Sequence, residues 1–600
     1  MFRLLLDKKL SQKGISLIEI LIGIAVFTLI AFSICQAYVQ VMKTVRISRL
    51  KVTAAALANE QFEIIRNLSY NNVGIVGGVP SGKMQREKTV TRSNDAFKII
   101  TTIRNIDDPF DGTIGGVPND LAPADYRFVA LDISCPSLSD FQTLSFSTYV
   151  GPKNLEISSN NGALLIKVFN AVGQAVQGAT VHIENNLIVP HIIIDDSTNN
   201  SGILEVIDTP VGTKAYEITV TKDGYSQDKT YPITPQNPNP AKPHATVAKQ
   251  QLTQVSFAID KTSSLEVSSK TSACSSVENI DYTLQGSKLI GTSPNVLKYS
   301  QNHVTNASGI ETIGNLEWDT YNSILTDSNY DLAGTIPLVP LVLNPDSTQS
   351  LSLIVTPKNS RSLLVAVKDA STQLSLSDAS VTLSKSGYSN TLTTGRGFLS
   401  QTDWSGGPNQ EDFINPAKFS NSDGNIEYTD YPGELRLDKP GTRYSTSGYL
   451  VSSTFDLGSG VDFRQILWQP QSQPSKTGQD SIKFQIATNN DKQTWNFLGP
   501  DGTAGTFYTL TNNEINSIHN GDRYLRYKVF LSTADTKYTP SVSDVQLTFT
   551  SSCVPPGQVM FSGLGSGTYT LSISKPGYQT YTGTVSISSS WQRKEVILNP

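Results

Sequence analysis

The first seventy residues change from one continuous apolar run to a pattern with a single apolar face. Positions 15–38, twenty-four residues, are apolar almost without interruption, and a helix of that length spans about 36 Å, enough to cross a bilayer. Glu19 is the one charged residue in the run. A carboxylate in hydrocarbon costs several kcal/mol unless something pairs with it. The run therefore predicts a membrane helix whose glutamate has a partner.

Beyond the run, apolar residues recur every three or four positions, which predicts that the helix continues with one buried face. This stripe consists of Leu50, Ala54, Leu57, Gln61, Ile64 and Leu68. Stretches 88–104 and 125–134 alternate between apolar and polar residues, as half-buried strands do. We expect the stripe to pack on a small sheet built from these stretches.

The junction between Gly14 and Ile15 follows a short basic leader, which favours a cytoplasmic start. No small-x-small site follows the apolar run, which disfavours an ordinary secretory signal. A cut at the junction would give Ile15 a free α-amino group, and Glu19, four residues on, would share its helix face. The terminal amine of a neighbouring subunit could then neutralise this carboxylate.

The stretch G-I-S-L-I-E from Gly14 to Glu19 resembles the N-terminal cleavage and methylation motif of type IV prepilins and pseudopilins. The stretch A-L-A-N-E-Q-F-E-I-I-R-N-L-S-Y, residues 56–70, is similar to minor pilins of the pilus-modification type. The resemblance implies cleavage by a prepilin peptidase, N-methylation of Ile15 and assembly with other pilins through Glu19. It also implies a single-pass protein of the bacterial cell membrane that moves to a pilus or the cell surface.

Later in the chain, β-rich units recur at intervals of roughly a hundred residues. A-L-L-I-K-V-F-N from residue 163 parallels S-L-L-V-A-V-K-D from residue 362, and Y-E-I-T-V-T-K-D-G-Y, residues 216–225, matches Y-T-L-S-I-S-K-P-G-Y, residues 569–578. A divergent copy lies between them, where S-G-I-E-T-I around Gly309 matches S-G-I-L-E-V-I around Gly202. These units resemble the carboxypeptidase regulatory-like, transthyretin-like sandwich. That resemblance implies a spacer or binding module and no peptidase activity.

A block with strands of its own interrupts the last copy and holds three of the five tryptophans. It resembles a jelly-roll of the discoidin or galactose-binding kind. The predicted fold class is therefore mainly β: a pilin-like transmembrane helix, then tandem Greek-key sandwiches with an inserted jelly-roll-like domain. The predicted domains are a leader, 1–14; a pilin-like helix, 15–70; a pilin-like β head, 71–157; sandwich 1, 158–250; divergent sandwich 2, 251–358; split sandwich 3, 359–395 with 554–600; and the inserted module, 396–553.

Composition and charge narrow the function classes. The net charge of −5 over 600 residues predicts no nucleic-acid partner. Cys35 lies in the apolar run, and Cys135, Cys274 and Cys553 are too far apart to define a disulfide framework or a metal site. One bridge is open, but free thiols are the expectation. We predict no metal and no cofactor.

No catalytic motif is present. The five histidines form no H-E-x-x-H, and no G-x-S-x-G occurs. The sequence therefore predicts a protein that is not an enzyme. Binding of a surface carbohydrate is favoured, because an aromatic ring can stack on a sugar while a carboxylate bonds its hydroxyls. The candidates are Asp403, Trp404, Trp495 and Tyr508, and the alternative is that these aromatics are sandwich core.

The predicted function is that of a minor type IV pilin or pseudopilin that displays extracellular β modules for adhesion. Two alternatives remain open. The first is a single-span surface protein that never assembles into filaments. The second is a surface enzyme with its active site in the inserted module. Short acidic turns around 422–425, Asp456 and Asp491 are open to Ca²⁺ but are typical of ordinary turns.

The inserted module is predicted to fold alone, because its two ends belong to one surface loop. A fragment of residues 396–552 should show β-type circular dichroism and a single cooperative melt. An unfolded or aggregating fragment would show that the domain boundary is misplaced.

Overall fold

The structure is a computed structural model, and it describes residues 17–153, 158–470, 472–511 and 513–600. It confirms the predicted fold class: the chain is mainly β, with one long apolar N-terminal helix and several β-sandwich domains. Two compact units are present. The first comprises Met1–Asp223 with Gln227–Ile259, and the second comprises Gly224–Ser226 with Asp260–Pro600.

The first unit begins with a helix that packs on a four-stranded antiparallel sheet. The helix is α1 (Leu17–Arg66), and the strands are β1 (Glu87–Arg92), β2 (Asp95–Ile106), β3 (Tyr126–Ser134) and β4 (Leu144–Val150). They pair in the order β1-β2-β3-β4. Ser93 and Asn94 both have positive φ, 51° and 68°, as a tight two-residue hairpin turn requires.

The buried stripe of α1 follows the prediction except in its last turn. Leu50, Ala54 and Leu57 are buried against the sheet. Ile64, however, is 41% exposed, whereas Ile65 is fully buried at 0%. Each residue turns the helix by about 100°. Ile65, four residues after Gln61, therefore lies about 40° from it around the helix, whereas Ile64 lies about 60° away on the other side, and the sheet covers Ile65. The helix also ends at Arg66 rather than at residue 70.

Sandwich 1 completes the first unit. Its strands are β5 (Gly162–Phe169), β6 (Thr180–Asn185), β7 (Ile192–Ser197), β8 (Ile203–Thr209), β9 (Gly212–Thr221), β10 (Asp228–Lys229), β11 (Ala245–Val247) and β12 (Leu252–Ala258). One sheet has the order β12-β5-β8, and the other has β10-β9-β6-β7 with β11 on β9. Leu164, Ile166 and Val168 alternate into the core from β5.

The second unit begins with sandwich 2. Its strands are β13 (Ser263–Lys270), β14 (Asp281–Gly286), β15 (Leu289–Gly291), β16 (Val296–Leu297), β17 (Ser300–Val304), β18 (Ile310–Leu316), β19 (Asp319–Leu325), β20 (Tyr330–Ile336), β21 (Leu341–Leu343) and β22 (Thr348–Pro357). The two main sheets have the orders β18-β13-β22-β20 and β17-β14-β19-β21, and β15 and β16 form a hairpin.

The rest of the second unit is sandwich 3 and the module inserted in it. Sandwich 3 starts with β23 (Ser362–Asp369), β24 (Ser380–Lys385) and β25 (Tyr388–Thr393). The inserted module contributes β26 (Gly397–Gln401), β27 (Asn421–Ser422), β28 (Ile426–Glu427), β29 (Leu435–Leu437), β30 (Ser447–Val451), β31 (Phe455–Gln469), β32 (Ile482–Asn489), β33 (Asn513–Glu514), β34 (Asp522–Ser532), β35 (Ser541–Val542) and β36 (Asp544–Thr550). Sandwich 3 ends with β37 (Gln558–Ser562), β38 (Gly567–Ser574), β39 (Tyr581–Ile587) and β40 (Trp591–Leu598). Short 3₁₀ turns lie at Tyr70–Asn72, Ser475–Thr477 and Ser517–His519.

Sandwich 3 is assembled from strands on both sides of the insert. Its sheets have the orders β37-β23-β40 and β25-β24-β38-β39. In all three sandwiches the first strand runs parallel to the last, in the pairs β5–β12, β13–β22 and β23–β40. The first strand also runs antiparallel to β8, β18 or β37 on its other side. The three sandwiches therefore share this three-strand arrangement, to which sandwich 2 adds β20 on the far side of β22.

A glycine and a threonine fix the same turn in each sandwich. Gly202, Gly309 and Gly557 have φ of 69°, 71° and 66°, and a Cβ at any of them would collide with the backbone of the first strand. The equivalent threonines are buried. Each threonine hydroxyl accepts a 3.0 Å hydrogen bond from the backbone N–H of the residue directly before β6, β14 or β24, the first strand of the second sheet along the chain. The threonines are Thr198, Thr305 and Thr394.

The insert replaces this turn in sandwich 3. In sandwich 1 the turn spans only the residues between Thr198 and Gly202, whereas in sandwich 3 the chain leaves at Gly395 and returns at Gly557. The Gly395 N–H donates to the Gln558 carbonyl at 3.0 Å, so the two ends of the insert are adjacent. The strands on either side of the insert, β25 and β37, therefore keep their pairing with β24 and β23 of sandwich 3.

The inserted module is built around one eight-stranded sheet. Its order is β26-β36-β31-β34-β30-β27, with β32 on β34 and β33 on β31, and β28-β29-β35 form a small second sheet. The fifteen-residue strand β31 pairs with β34 through its first half and with β36 through its second. The core of the module contains Trp404, Phe484 and Tyr527.

The expectation of free thiols is wrong for two of the four cysteines. Cys274 and Cys553 form a disulfide across a sequence separation of 279 residues, with Cα atoms 5.3 Å apart. Cys274 follows the first strand of sandwich 2, and Cys553 lies where the insert ends. The Ser551 hydroxyl also donates to the Ser272 carbonyl at 3.1 Å. Sequence spacing could not reveal this pair, because sandwich strands and the insertion lie between two residues that the fold brings together.

The disulfide predicts a thiol count. Four cysteines are present and one pair is bridged, so denatured but unreduced protein should show two reactive thiols, Cys35 and Cys135, and reduced protein should show four. The double variant Cys274→Ser, Cys553→Ser should lower the free energy of unfolding of the second unit by about 2–5 kcal/mol. The control Cys35→Ser should leave it unchanged. Four reactive thiols before reduction would contradict the bridge.

Candidate functional site

The first half of α1 is apolar and uncovered on all sides. From Leu17 to Arg49 nearly every described side chain is exposed, including Phe27 at 72% and Phe32 at 65%. In the described part of the chain it is the one helix long and apolar enough to cross a membrane. A helix that is hydrophobic all round is typical of a membrane span or a fully buried position. No described residue of this protein buries it.

Two hydroxyl groups within the apolar segment bond to the helix backbone. Thr28 Oγ1 donates to the Ile24 carbonyl at 2.9 Å, and Ser33 Oγ donates to the Leu29 carbonyl at 2.8 Å. Such bonds remove the cost of placing a hydroxyl in hydrocarbon. The segment therefore suits a lipid environment along its described length.

The predicted processing and assembly residues lie at the N-terminal boundary of the described chain. Gly14 and Ile15 are outside the described residues. Glu19 belongs to α1, but its side chain is also outside what the structure describes. The cut between Gly14 and Ile15, the methylation of Ile15 and the pairing of Glu19 remain predictions.

Two basic side chains follow the apolar segment and form ion pairs with the head, one with β2 and one with the loop between β3 and β4. Arg46 Nη2 lies 3.1 Å from Asp95 Oδ1, and Lys43 forms an ion pair with Asp140. One turn later, at Leu50, the helix becomes buried. The exposed half of the helix therefore meets the packed half at Lys43 and Arg46, whose charges are paired with acidic residues of the head.

Two of the four predicted ligand residues belong to the core, which corrects that prediction. Trp404 and Tyr508 are both 0% exposed. Trp404 Nε1 donates to the Tyr527 hydroxyl at 2.9 Å, and the Tyr508 hydroxyl accepts from the Asn516 N–H at 3.1 Å. Buried Trp and Tyr polar atoms find such partners. Neither ring can meet a sugar, and the core alternative is correct for both.

The other two predicted ligand residues, Asp403 and Trp495, are partly exposed, unlike the buried Trp404 and Tyr508. Asp403 Oδ1 accepts from the Ser405 N–H at 2.9 Å. Burial alone would raise the pKa of Asp403, but hydrogen bonds from Ser405 and nearby backbone outweigh it and lower the pKa. The Trp495 ring is stacked at 4.4 Å by the Arg526 guanidinium. Both remain predicted ligand residues.

A cleft that the sequence did not indicate opens beside β26 and the start of β31. Its volume is about 480 Å³, and its lining includes Phe413, which stacks on Phe455 at 4.2 Å. Two ion pairs border it. Asp412 Oδ1 lies 2.8 Å from Lys492 Nζ, and the Asp456 carboxylate accepts two hydrogen bonds from Arg523, at 2.7 and 2.9 Å.

The charges of this cleft are already paired with one another. The hydrogen bonds from Arg523 are the main cause that lowers the pKa of Asp456, so this carboxylate stays ionised and is a poor proton donor. The other acidic turn, at Asp491, is satisfied by the Gln493 and Thr494 N–H groups, which help hold its pKa at about 2. Within the described ranges, no three His, Cys, Asp or Glu side chains form a metal-binding group.

Comparisons with known proteins add little. No family model and no curated protein matches the chain. The Bacillus anthracis TIE protein structure is 12% identical over 52% of this chain and 67% of its own, with a TM-score of 0.15. The Streptococcal ancillary pilin is 10% identical over 44% of this chain and 80% of its own, with a TM-score of 0.18. The shaft pilin SpaA from Lactobacillus rhamnosus GG is 10% identical over 33% of this chain and 98% of its own, with a TM-score of 0.13. At these TM-scores the matches carry no argument about function.

Burial separates the two tryptophans in a testable way. Trp404→Ala should lower the free energy of unfolding by about 3–5 kcal/mol, because it empties a core position. The control Trp495→Ala should cost about 1 kcal/mol, since this ring is partly exposed. Scanning calorimetry should show the corresponding shifts in the transition of the inserted module. Equal shifts for the two variants would contradict the placement of Trp404 in the core.

Proposed function

We propose that this protein is a membrane-anchored minor type IV pilin or pseudopilin that displays β modules outside the cell for attachment. The observation that supports the proposal is the division of α1. Its first half is bare and apolar, and its second half packs on the head sheet. A plain membrane anchor needs only the first half. A pilin subunit needs both, because its helix is at once the anchor and the spine of the head.

Assembly gives Glu19 its role in this proposal. A prepilin peptidase cuts between Gly14 and Ile15, and Ile15 is then N-methylated. The charged terminus of one subunit neutralises the Glu19 carboxylate of its neighbour, which offsets the several kcal/mol that an unpaired carboxylate costs in hydrocarbon. The partners are thus the peptidase, the membrane and the helices of other pilins.

The β modules set the position of the subunit in a filament. Residues 158–600 follow the head, and pilin helices pack at distances of about 8–10 Å between axes. Repeating this bulk at every subunit would crowd the fibre. The protein therefore suits a tip or a sparse lateral position, in smaller amounts than a major pilin.

Attachment through binding is the role proposed for the inserted module, with a surface carbohydrate as the partner. Catalysis is not proposed. The cleft beside β26 has its carboxylates engaged by Lys492 and Arg523, which supports a structural rather than a proton-donating role for Asp412 and Asp456.

Substitution of Glu19 tests the proposal. Glu19→Ala should leave the protein in the membrane, since the apolar helix is intact, but should abolish its recovery in sheared surface filaments. Glu63→Ala is the matched control, because Glu63 is exposed on the same helix and lies in its packed half. It should be recovered like the wild type.

Two results would contradict the proposal. Normal recovery of the Glu19→Ala protein in filaments would remove the assembly role of the carboxylate. Absence of the wild-type protein from any filament fraction would favour the single-span surface protein that never assembles.

A further inference from the structure

A row of lysine and aromatic side chains lies on the outer face of the inserted module. Phe530 of β34 pairs with Tyr449 of β30 on one side and with Lys483 of β32 on the other. Lys528 lies two residues before Phe530 and therefore on the same face, while Tyr527, Val529 and Leu531 point into the core. Two rings from the segment after β32 complete the set. We call the set the lysine–aromatic row: Tyr449, Lys483, Phe497, Phe507, Lys528 and Phe530.

The Lys528 ammonium lies among three aromatic rings. Its Nζ is 3.8 Å from the centre of the Tyr449 ring, 5.0 Å from that of Phe530 and 5.9 Å from that of Phe497. Lys483 Nζ lies 5.5 Å from the centre of Phe507, which in turn meets Phe530 edge-on at 5.2 Å. All six side chains are partly exposed. The row therefore offers two cations and several ring surfaces to solvent.

Neither ammonium has an anionic partner in the described part of the chain, where no carboxylate lies within 4 Å of Lys483 or Lys528. Other cations of the same module are paired: Lys492 with Asp412, Arg523 with Asp456 and Arg526 with Glu411. The acidic group that acts on Lys528 is Asp423, whose Oδ1 accepts from the Asn425 N–H at 3.0 Å. A cation held among rings, where burial has removed part of its water, gains from an incoming anionic oxygen.

From this arrangement we propose that the lysine–aromatic row binds a carboxylated oligosaccharide. The exposed ring surfaces pack against the apolar C–H faces of sugar rings. The Lys528 ammonium, supported by Lys483, pairs with the sugar carboxylate. This inference rests on the attachment role proposed above and names the class of surface ligand.

The charge of the module argues for a sparsely charged ligand. Residues 396–552 contain thirteen lysines and arginines against seventeen aspartates and glutamates. A nucleic acid or another dense polyanion would be repelled by this surplus of acidic groups. A sugar chain with one carboxylate among neutral hydroxyls can bind the Lys483 and Lys528 ammonium groups with little repulsion from the acidic groups of the module.

The test is titration calorimetry on the detergent-solubilised full-length protein. The probes are 3′-sialyllactose, with one carboxylate; lactose, its neutral counterpart; and a hyaluronan tetrasaccharide, in which sugars with a carboxylate alternate with neutral sugars. We expect binding of at least one acidic sugar, and binding of lactose weaker by about tenfold or more, the scale of one charge-assisted contact. Lys528→Gln should lose about tenfold in affinity for the acidic sugar, Lys528→Arg should retain most of it, and Tyr449→Ala should weaken it.

Controls keep the outcome unambiguous. Lys476→Gln removes an exposed lysine elsewhere in the module and should bind like the wild type. Each variant is first required to melt at the wild-type temperature, and Lys483→Gln serves as a second charge variant if Lys528→Gln unfolds. Solution binding does not depend on filaments, so failure here is distinct from failure of the assembly proposal.

Three results would overturn the inference. The first is no binding of either acidic sugar by the wild-type protein. The second is equal affinity for lactose and 3′-sialyllactose, or unchanged affinity in both lysine-to-glutamine variants. The third is tighter binding of a short DNA oligonucleotide or of a glutamate peptide than of the acidic sugars, which would assign the row to another class of partner.

Discussion

The apolar surface on the first half of α1 cannot remain in water, and the packing of the head on the second half of the same helix depends on that constraint. No described residue of the chain covers Leu17, Phe27 or Phe32, so lipid or other apolar helices must do so. The same helix becomes the core element of the head from Leu50 onward. Membrane attachment and the folding of the head are thus linked through one continuous helix.

The β modules depend on a different feature, the turn before Gly202, Gly309 or Gly557, which in sandwich 3 is replaced by the inserted module. In each sandwich a glycine with positive φ approaches the first strand closely, and a buried threonine holds the strand that opens the second sheet. Because these contacts lie on either side of the turn, a whole module can replace the turn residues. The Cys274–Cys553 bridge then fastens the returning end of that module to sandwich 2. Binding functions can be added at such a site without disturbing the sheets.

Local periodicity made most of the fold predictable, and long-range pairing limited the rest. The helical stripe and the matching segments around Gly202 and Gly309 were visible as short patterns. The patterns failed where a choice depended on tertiary context. Ile64 and Ile65 are adjacent apolar residues, and only packing against the sheet decides which is buried. Most of sandwich 2, the first strands of sandwich 3 and the whole insertion lie between the two cysteines of the bridge.

The binding residues show the same limit. Trp404 and Tyr508 were predicted from residue type, but residue type does not distinguish a core ring from a ligand platform. Lys528 and Tyr449 come together only because β30 and β34 pair in a particular register. No motif in the sequence links them. The long apolar helix, by contrast, was predictable because its signal is local and continuous.

The central claim is that the apolar helix is the mature N-terminus of an assembling subunit. The most direct measurement is the mass of the N-terminal peptide of the protein extracted from membranes of cells with an active prepilin peptidase. The account predicts a chain that begins at Ile15 and carries one N-methyl group. A chain that still begins at Met1 would contradict it.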